Sequence, residues 1–253
     1  MKFLALIPAR YASTRFPGKP LADILDKPMI QWVYERAASL YEHCYVATDD
    51  ERIEAAVKAF GGRVVMTSEK HRSGTDRCRE ALDAVETETS QTFDVVVNIQ
   101  GDEPFIGIEQ FQLLSTCFSD PACDIATLVT PFTPEENIFN PNSPKVVLSA
   151  DGYALYFSRS VIPYLRSEAD TAQWQAQHLY FKHLGLYAYR AGVLRGITEL
   201  PQSSLEIAES LEQLRWLENG YRIKVAITDH SNHAVDTPED LENIIRIYGN
   251  KLL

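Results

Sequence analysis

The chain has 253 residues, 45% of them hydrophobic and 23% charged, which is typical of a globular chain rather than a disordered or fibrous one. Its 24 basic and 35 acidic side chains give a formal net charge of -11, which disfavours nucleic acid and anionic membranes as general partners. No apolar stretch reaches the roughly 20 residues that span a bilayer, and Arg10 and Arg15 interrupt the N-terminus too early for a signal peptide. We therefore expect a cytoplasmic protein that is not inserted in a membrane and that binds anions through local basic clusters.

The predicted elements of the first half alternate between strands and helices. Strands are predicted at residues 2–8, 44–47, 64–66 and 93–99, with helices at about 30–41, 53–60 and 75–85. Because alternating strands and helices form right-handed βαβ units, the pattern predicts the α/β class, a mostly parallel sheet flanked by helices in a Rossmann-like three-layer arrangement.

The second half has a different rhythm, which is α+β in character. Strands are predicted at 125–129, 145–149, 154–157, 184–189 and 222–227, a mobile connection at 167–177, and helices at 205–217 and from Thr237-Pro238 to about residue 248. No repeat or linker separates the halves, so we interpret residues 1–253 as a single domain, with halves of about 1–125 and 126–253.

The loop after the first strand is the first candidate site, because ligands bind beyond the carboxyl ends of strands in open α/β sheets. The loop spans residues 8–20 and has no acidic side chain. Its basic and hydroxyl side chains are Arg10, Ser13, Thr14, Arg15 and Lys19. In so acidic a chain this pattern predicts a polyphosphate pocket, with a solvated basic loop as the alternative. The loop contains neither G-x-G-x-x-G nor a Walker A sequence, which disfavours dehydrogenases and P-loop proteins.

Two further segments follow predicted strands. Asp102, in Gln100-Gly101-Asp102-Glu103-Pro104, should lie at the carboxyl edge of the sheet, where a carboxylate facing phosphates suits Mg²⁺; an acidic turn is the alternative. The run Ser73 to Arg77 lies at a strand-to-helix junction, where backbone N–H groups can hold a ligand; the alternative is a plain helix cap, with Ser73 or Thr75 as the cap residue.

Seven motifs resemble, in order, those of the CMP-sugar-acid cytidylyltransferases, and most of all the members that activate 3-deoxy-manno-octulosonate (Kdo). They are IPARYASTRFPGKPL, HRSGTDR, NIQGDEP, ALYFSR, KHLGLYAYR, ESLEQLR and VDTPEDL. Together they span nearly the whole chain, so the resemblance is far more specific than any single motif.

The resemblance implies a nucleotide-diphospho-sugar transferase-like fold and transfer of CMP from CTP to the anomeric hydroxyl of Kdo, with release of pyrophosphate, for lipopolysaccharide biosynthesis. It implies that the catalytic groups are Arg10, Lys19, Asp102 and Asp236, the two aspartates as Mg²⁺ ligands. It assigns Ser73, Arg77 and Gln100 to the nucleotide, together with the loop residues. It assigns Arg159, His183, Tyr187, Glu212 and Gln213 to the sugar acid, and it suggests a homodimer.

Alternatives remain for several of these residues and for the function. From the residues alone, Asp236 also suits a helix cap, and His183 and Tyr187 suit ordinary half-buried strand positions that share one face. Rival functions are a cytidylyltransferase for a sialic acid or an amino-substituted Kdo, a hexose-1-phosphate nucleotidyltransferase, whose glycine-rich loop is missing here, and a non-catalytic CTP sensor.

Overall fold

The computed structural model describes residues 1–13, 15–230 and 234–252. The strands are β1 (Phe3–Ala9), β2 (Asp23–Ile24), β3 (Lys27–Pro28), β4 (His43–Thr48), β5 (Val64–Met66), β6 (Val95–Asn98), β7 (Ile125–Pro131), β8 (Lys145–Leu148), β9 (Ala154–Ser158), β10 (Phe181–Arg190) and β11 (Ile223–Ile227). The α-helices are α1 (Met29–Ala38), α2 (Glu51–Ala59), α3 (Gly74–Thr89), α4 (Ile108–Thr116), α5 (Trp174–Gln177), α6 (Ala191–Thr198), α7 (Ser204–Glu209), α8 (Gln213–Glu218) and α9 (Pro238–Leu252).

The chain divides into two compact units made of interleaved segments. The first contains Met1–Gln112, Tyr189–Thr198 and Asn232–Leu253, and the second contains Leu113–Ala188 and Glu199–Ser231. In the part of the chain that the structure describes, no helix is both long enough and apolar enough to cross a membrane.

The first unit carries a parallel sheet with the strand order β6-β1-β4-β5. The central strands are apolar runs: Leu4 to Ile7 of β1 and Val95 to Val97 of β6 are fully buried. Strands buried on both faces are expected where helices cover a parallel sheet, and α1, α2 and α3 pack on strands of this sheet. The α/β class predicted from the sequence is confirmed.

The second unit carries a mixed set of strands. β11 pairs in parallel with β7, whereas β8 pairs antiparallel with β9 and β10, with a register shift at Val147/Leu148. The change of rhythm predicted after residue 125 corresponds to this change from parallel to mixed pairing.

Two predicted elements were wrong in detail. The single helix predicted at 205–217 is two helices, α7 and α8, because Ser210 adopts a left-handed backbone conformation with φ of 51° and ends the first. The connection predicted at 167–177 contains a 3-10 turn at Thr171–Gln173 and the helix α5, whose Trp174 is buried against Phe132, Ile138 and Tyr180. The hairpin β2–β3 and the helices α4 and α6 were not predicted.

Candidate active site

The basic loop after β1 folds back on itself and ends at Lys19. The Gly18 backbone N–H donates to the Tyr11 carbonyl at 2.9 Å, and Gly18 has a left-handed φ of 71°. A Cβ atom there would lie 3.0 Å from the Tyr11 ring, so both the backbone conformation and the limited space favour glycine. The Arg52 guanidinium lies 3.3 Å from the centroid of the same ring. These contacts hold the turn that presents Lys19.

Asp102 lies in the loop that follows β6, close to the end of β1. A Cβ atom on the neighbouring Gly101 would lie 3.2 Å from the Pro8 carbonyl oxygen, so glycine permits this approach. The Asp102 carbonyl accepts a hydrogen bond from the Val235 N–H at 2.9 Å. This bond ties the segment before α9 to the Asp102 loop and brings Asp236 to the same place.

The start of α9 is capped without the Asp236 carboxylate. The Thr237 hydroxyl accepts from the Asp240 N–H at 3.2 Å, and Asp240 Oδ2 accepts from the N–H groups of Asp236 (3.0 Å) and Thr237 (2.9 Å). Burial raises the pKa of Asp240, but these hydrogen bonds outweigh it and hold that pKa below its usual value. The capping role that the sequence left open for Asp236 belongs to Thr237 and Asp240.

The two carboxylates meet at one ammonium group. Lys19 Nζ lies 2.7 Å from Asp102 Oδ2 and 3.3 Å from Asp236 Oδ1, and Arg15 lies 3.0 Å from Asp236. The Lys19 side chain is only 14% exposed, whereas those of Asp102 and Asp236 are 28% and 39% exposed. Residues from three distant parts of the sequence therefore form one partly accessible charge cluster.

This cluster forms part of a cleft of about 270 Å³ in the first unit. Its lining residues are Pro8, Ala9, Arg10, Ser13, Arg15, Lys19, Pro20, His71, Arg72, Ser73, Gly74, Arg77, Gln100, Gly101, Asp102 and Asp236. Lysine and arginine outnumber carboxylates along the lining, in a chain whose net charge is strongly negative. The charge of the cleft thus suits a multiply charged anion.

The junction before α3 forms another part of the cleft wall. Ser73 caps α3, since its hydroxyl accepts from the Asp76 N–H at 3.1 Å, and the residue also lines the cleft. Arg77 is buried, and its guanidinium bonds to Thr67 Oγ1 at 2.6 Å and to Asp49 at 2.7 Å. Arg77 therefore lies at the cleft with two of its N–H groups already engaged.

The nucleotide-side residues predicted from the sequence come together, with one exception. Ten residues were assigned to the nucleotide or to Mg²⁺, and nine of them line the cleft. The tenth, Thr14, lies outside the described residues. The same cleft is also lined by His71, Arg72 and Gly74, which were not predicted as site residues from the sequence. They belong to the same motif as Ser73 and Arg77, so their position next to these residues in the sequence could have indicated that they line the site.

Arg159 lies in the second unit, at the bend between α7 and α8. Its guanidinium donates to the carbonyl oxygens of Glu209 (2.6 Å), Pro141 (2.8 Å) and Ser210 (3.2 Å). Its backbone N–H donates to the Glu209 carboxylate at 2.9 Å. A guanidinium has five N–H donors, so some remain for an anion, while the others hold the bend from which α8 begins.

His183 and Tyr187 share one face of β10, as the sequence predicted, and their rings lie 5.2 Å apart. The Tyr187 ring also contacts Trp216 of α8 at 5.1 Å, edge to face. Burial lowers the pKa of His183 to about 3, so its imidazole is neutral at pH 7.

Glu212 and Gln213 stand at the beginning of α8. Glu212 accepts from the Arg215 guanidinium at 2.8 Å. Gln213 is only 5% exposed, and among the described residues its Nε2 has no hydrogen-bond partner. A buried amide donor without an acceptor is costly, which makes Gln213 a candidate for a ligand contact.

Comparison with known proteins gives a consistent result. The family model described as Cytidylyltransferase matches residues 4–224. A 3-deoxy-manno-octulosonate cytidylyltransferase from Parabacteroides distasonis is 60% identical, over 99% of this chain and 100% of its own, and one from Bacteroides thetaiotaomicron is 61% identical over the same shares.

A solved structure of CMP:2-keto-3-deoxy-manno-octonic acid synthetase complexed with CTP matches 99% of this chain and 100% of its own, with a TM-score of 0.89 and 44% identity. The chain therefore belongs to the cytidylyltransferase family, an enzyme family, and within it groups with the 3-deoxy-manno-octulosonate cytidylyltransferases.

Proposed function

We propose that this enzyme transfers CMP from CTP to the anomeric hydroxyl of Kdo, forming CMP-Kdo and pyrophosphate and activating the sugar for lipopolysaccharide biosynthesis. The single observation that carries the proposal is the cleft in which Lys19 and Arg15 meet the carboxylates of Asp102 and Asp236. Basic side chains beside paired carboxylates suit a triphosphate that arrives with a divalent cation.

The basic residues of the cleft bind and orient the triphosphate. Arg10 and Arg15 carry guanidinium forks that can engage two phosphate oxygens each, whereas Lys19 is a compact charge held deeper in the cleft. Held in place, these cations stabilise the charge that builds on the pyrophosphate as it departs, without reorganising during the reaction.

Asp102 and Asp236 would hold Mg²⁺, and the residues present fit it. Mg²⁺ binds through one or two carboxylates plus phosphate oxygens and water, so two carboxylates that already converge on one cation, the Lys19 ammonium, suffice. When bound, the ion supplies positive charge to the phosphate oxygens.

The reaction is a substitution at the α-phosphorus of CTP. The anomeric oxygen of the sugar forms a bond to that phosphorus, and the bond from phosphorus to the oxygen shared with the β-phosphate breaks. Pyrophosphate leaves with the bonding electrons, and the hydroxyl proton is released. No covalent bond to the protein is needed, so the contribution of the chain is positioning and charge neutralisation.

The acceptor side of the proposal rests on the second unit. The Arg159 guanidinium keeps N–H donors that can bind a carboxylate. Gln213 offers a buried amide donor, and His183 is a neutral hydrogen-bonding group. This mixture of one cation and several neutral groups matches a sugar that bears one carboxylate and many hydroxyls.

We also propose a cytoplasmic homodimer. Three of the four cysteines are buried thiols, as is usual in a reducing compartment. Leu155, Tyr164 and Leu179 of the second unit are exposed large apolar side chains, which suit a surface between two copies of the chain.

The test is pyrophosphate release from CTP with Mg²⁺, with Kdo, an amino-substituted Kdo and a sialic acid compared as acceptors. The proposal expects the highest kcat/KM with Kdo. A higher value with either other acid would reassign the substrate. CTP binding without pyrophosphate release on any of the three would instead indicate a nucleotide sensor.

A further inference from the structure

Thr127 of β7 makes the contact that defines the chemistry of His183. Thr127 is fully buried, and its Oγ1 lies 3.0 Å from His183 Nε2. The same oxygen lies 2.8 Å from the Leu186 carbonyl oxygen and 3.3 Å from that of Leu184. A threonine hydroxyl has one proton, so it donates to only one of these neighbours at a time.

The distances indicate where that proton goes. The 2.8 Å between Thr127 Oγ1 and Leu186 O is typical of an O–H···O bond, and the 3.0 Å to His183 is typical of an N–H···O bond. A carbonyl oxygen can only accept, so the hydroxyl donates to Leu186 and accepts from the imidazole. His183 then carries its proton on Nε2, and Nδ1 is the acceptor atom of the ring.

The surroundings of the ring keep it neutral. The Phe157 ring contacts it edge to face at a centroid distance of 5.2 Å. The Tyr187 ring is tilted relative to the imidazole, also at a centroid distance of 5.2 Å. Neither group is charged at pH 7, and burial holds the pKa of His183 far below that pH. A neutral ring with a fixed tautomer can accept one hydrogen bond at Nδ1 and cannot form an ion pair with a carboxylate.

We infer that Thr127 is a positioning residue that fixes the Nε2–H tautomer of His183, so that Nδ1 accepts a hydrogen bond from a hydroxyl group of the acceptor sugar rather than contacting its carboxylate. The tautomer follows from the contacts within the second unit, whereas its use in sugar binding rests on the proposed function. His183 thereby distinguishes a hydroxyl donor from an acceptor group at one position of the sugar.

The experiment compares Thr127→Val with Thr127→Ser. Valine keeps the branched shape and removes the hydroxyl, while serine keeps the hydroxyl. Thr130→Val is the matched control, because Thr130 is another buried threonine of β7. Imidazole ¹⁵N NMR of substrate-free protein labelled at histidine reports which ring nitrogen is protonated, and the His183 signals are identified by their loss in His183→Gln.

We expect protonation at Nε2 in the unmodified protein, in Thr127→Ser and in Thr130→Val, and a shift toward Nδ1 protonation in Thr127→Val. Protonation at Nδ1 in the unmodified protein, or an unchanged signal in Thr127→Val, would overturn the inference. Because no substrate is present, this result does not depend on the proposed function.

Kinetics then test the use of the tautomer. Losing one neutral hydrogen bond should raise the KM for Kdo in Thr127→Val by about fivefold, with the KM for CTP unchanged and serine restoring the original value. Equal changes in both KM values would contradict a role of Thr127 that is specific to the sugar. A shifted tautomer with no change in the KM for Kdo would refute the role toward the sugar and leave the nucleotide chemistry intact.

Discussion

Lys19 Nζ lies 2.7 Å from Asp102 Oδ2, although the two residues come from different loops of the first unit. The side chain of this lysine is mostly buried, and it also contacts Asp236. The ammonium therefore holds together two carboxylates that would otherwise repel each other.

Replacing Lys19 by alanine should weaken the use of CTP. A charge-assisted hydrogen bond to phosphate contributes roughly 1.5 to 3 kcal/mol, so KM for CTP should rise about ten- to a hundredfold. Lys27→Ala is the control, since Lys27 pairs with Glu35 in the same unit and lies outside the cleft lining. Steady-state kinetics that show the same KM for both variants would exclude Lys19 from phosphate binding.

Replacing Asp102 or Asp236 by asparagine should reduce kcat by about a hundredfold or more. Each carboxylate would hold a Mg²⁺ ion that stabilises the negative charge developing on the phosphate oxygens. Either variant should also bind Mn²⁺ more weakly, as measured by titration in the presence of CTP. Asp23→Asn, at an exposed position of β2, should change neither property. Near-normal pyrophosphate release from Asp102→Asn would contradict the metal assignment.

Gly18→Ala should damage the cleft more than it damages the fold. The new Cβ would lie 3.0 Å from the Tyr11 ring, one residue before Lys19, so KM for CTP should rise. Gly220→Ala is matched in backbone strain, with φ of 83°, but its Cβ would meet nothing within 4 Å. Both should lose roughly 1 to 2 kcal/mol of stability in thermal unfolding, and only Gly18→Ala should change CTP kinetics. Equal kinetics for the two would show that the turn does not position Lys19.

Arg159→Ala should raise KM for Kdo and leave KM for CTP unchanged, because Arg159 belongs to the proposed acceptor side. The variant should also unfold more easily, since three carbonyl oxygens lose a donor. Arg166→Ala removes an exposed arginine of the same unit and serves as the control. A defect confined to CTP would contradict the assignment of Arg159 to the sugar acid.

The free energy of unfolding should fall as the pH drops below about 6.5, in part through His183. Its pKa is about 3 in the folded chain, whereas an ordinary histidine has a pKa of about 6.5, so between these values the unfolded chain binds the extra proton. Stability then decreases with falling pH by up to about 1.4 kcal/mol per pH unit. Denaturant unfolding of His183→Gln should show a smaller pH dependence, and an identical dependence would mean that His183 has the same pKa in the folded and unfolded chains.

Much of the molecule follows from local sequence signals. The apolar runs of β1 and β6 and the helical periodicity between strands predicted the α/β class, because burial on both faces of a parallel sheet requires such runs. The position of the basic loop after β1, and that of Asp102 after β6, predicted that both lie at the carboxyl edge of the sheet. The helix break at Ser210 was missed, because a single left-handed serine leaves the apolar pattern around it unchanged.

Only the tertiary structure decided which of these residues meet. The hydrogen bond from the Val235 N–H to the Asp102 carbonyl brings Asp236 close to Lys19. The neighbouring positions of β7 and β10 in the sheet bring Thr127 into contact with His183. Such contacts join residues that are far apart in the sequence, and they depend on the packing of whole elements. A sequence by itself specifies which elements form through periodicity, whereas charge neutralisation and tautomer choice depend on distances of a few ångströms that exist only after folding.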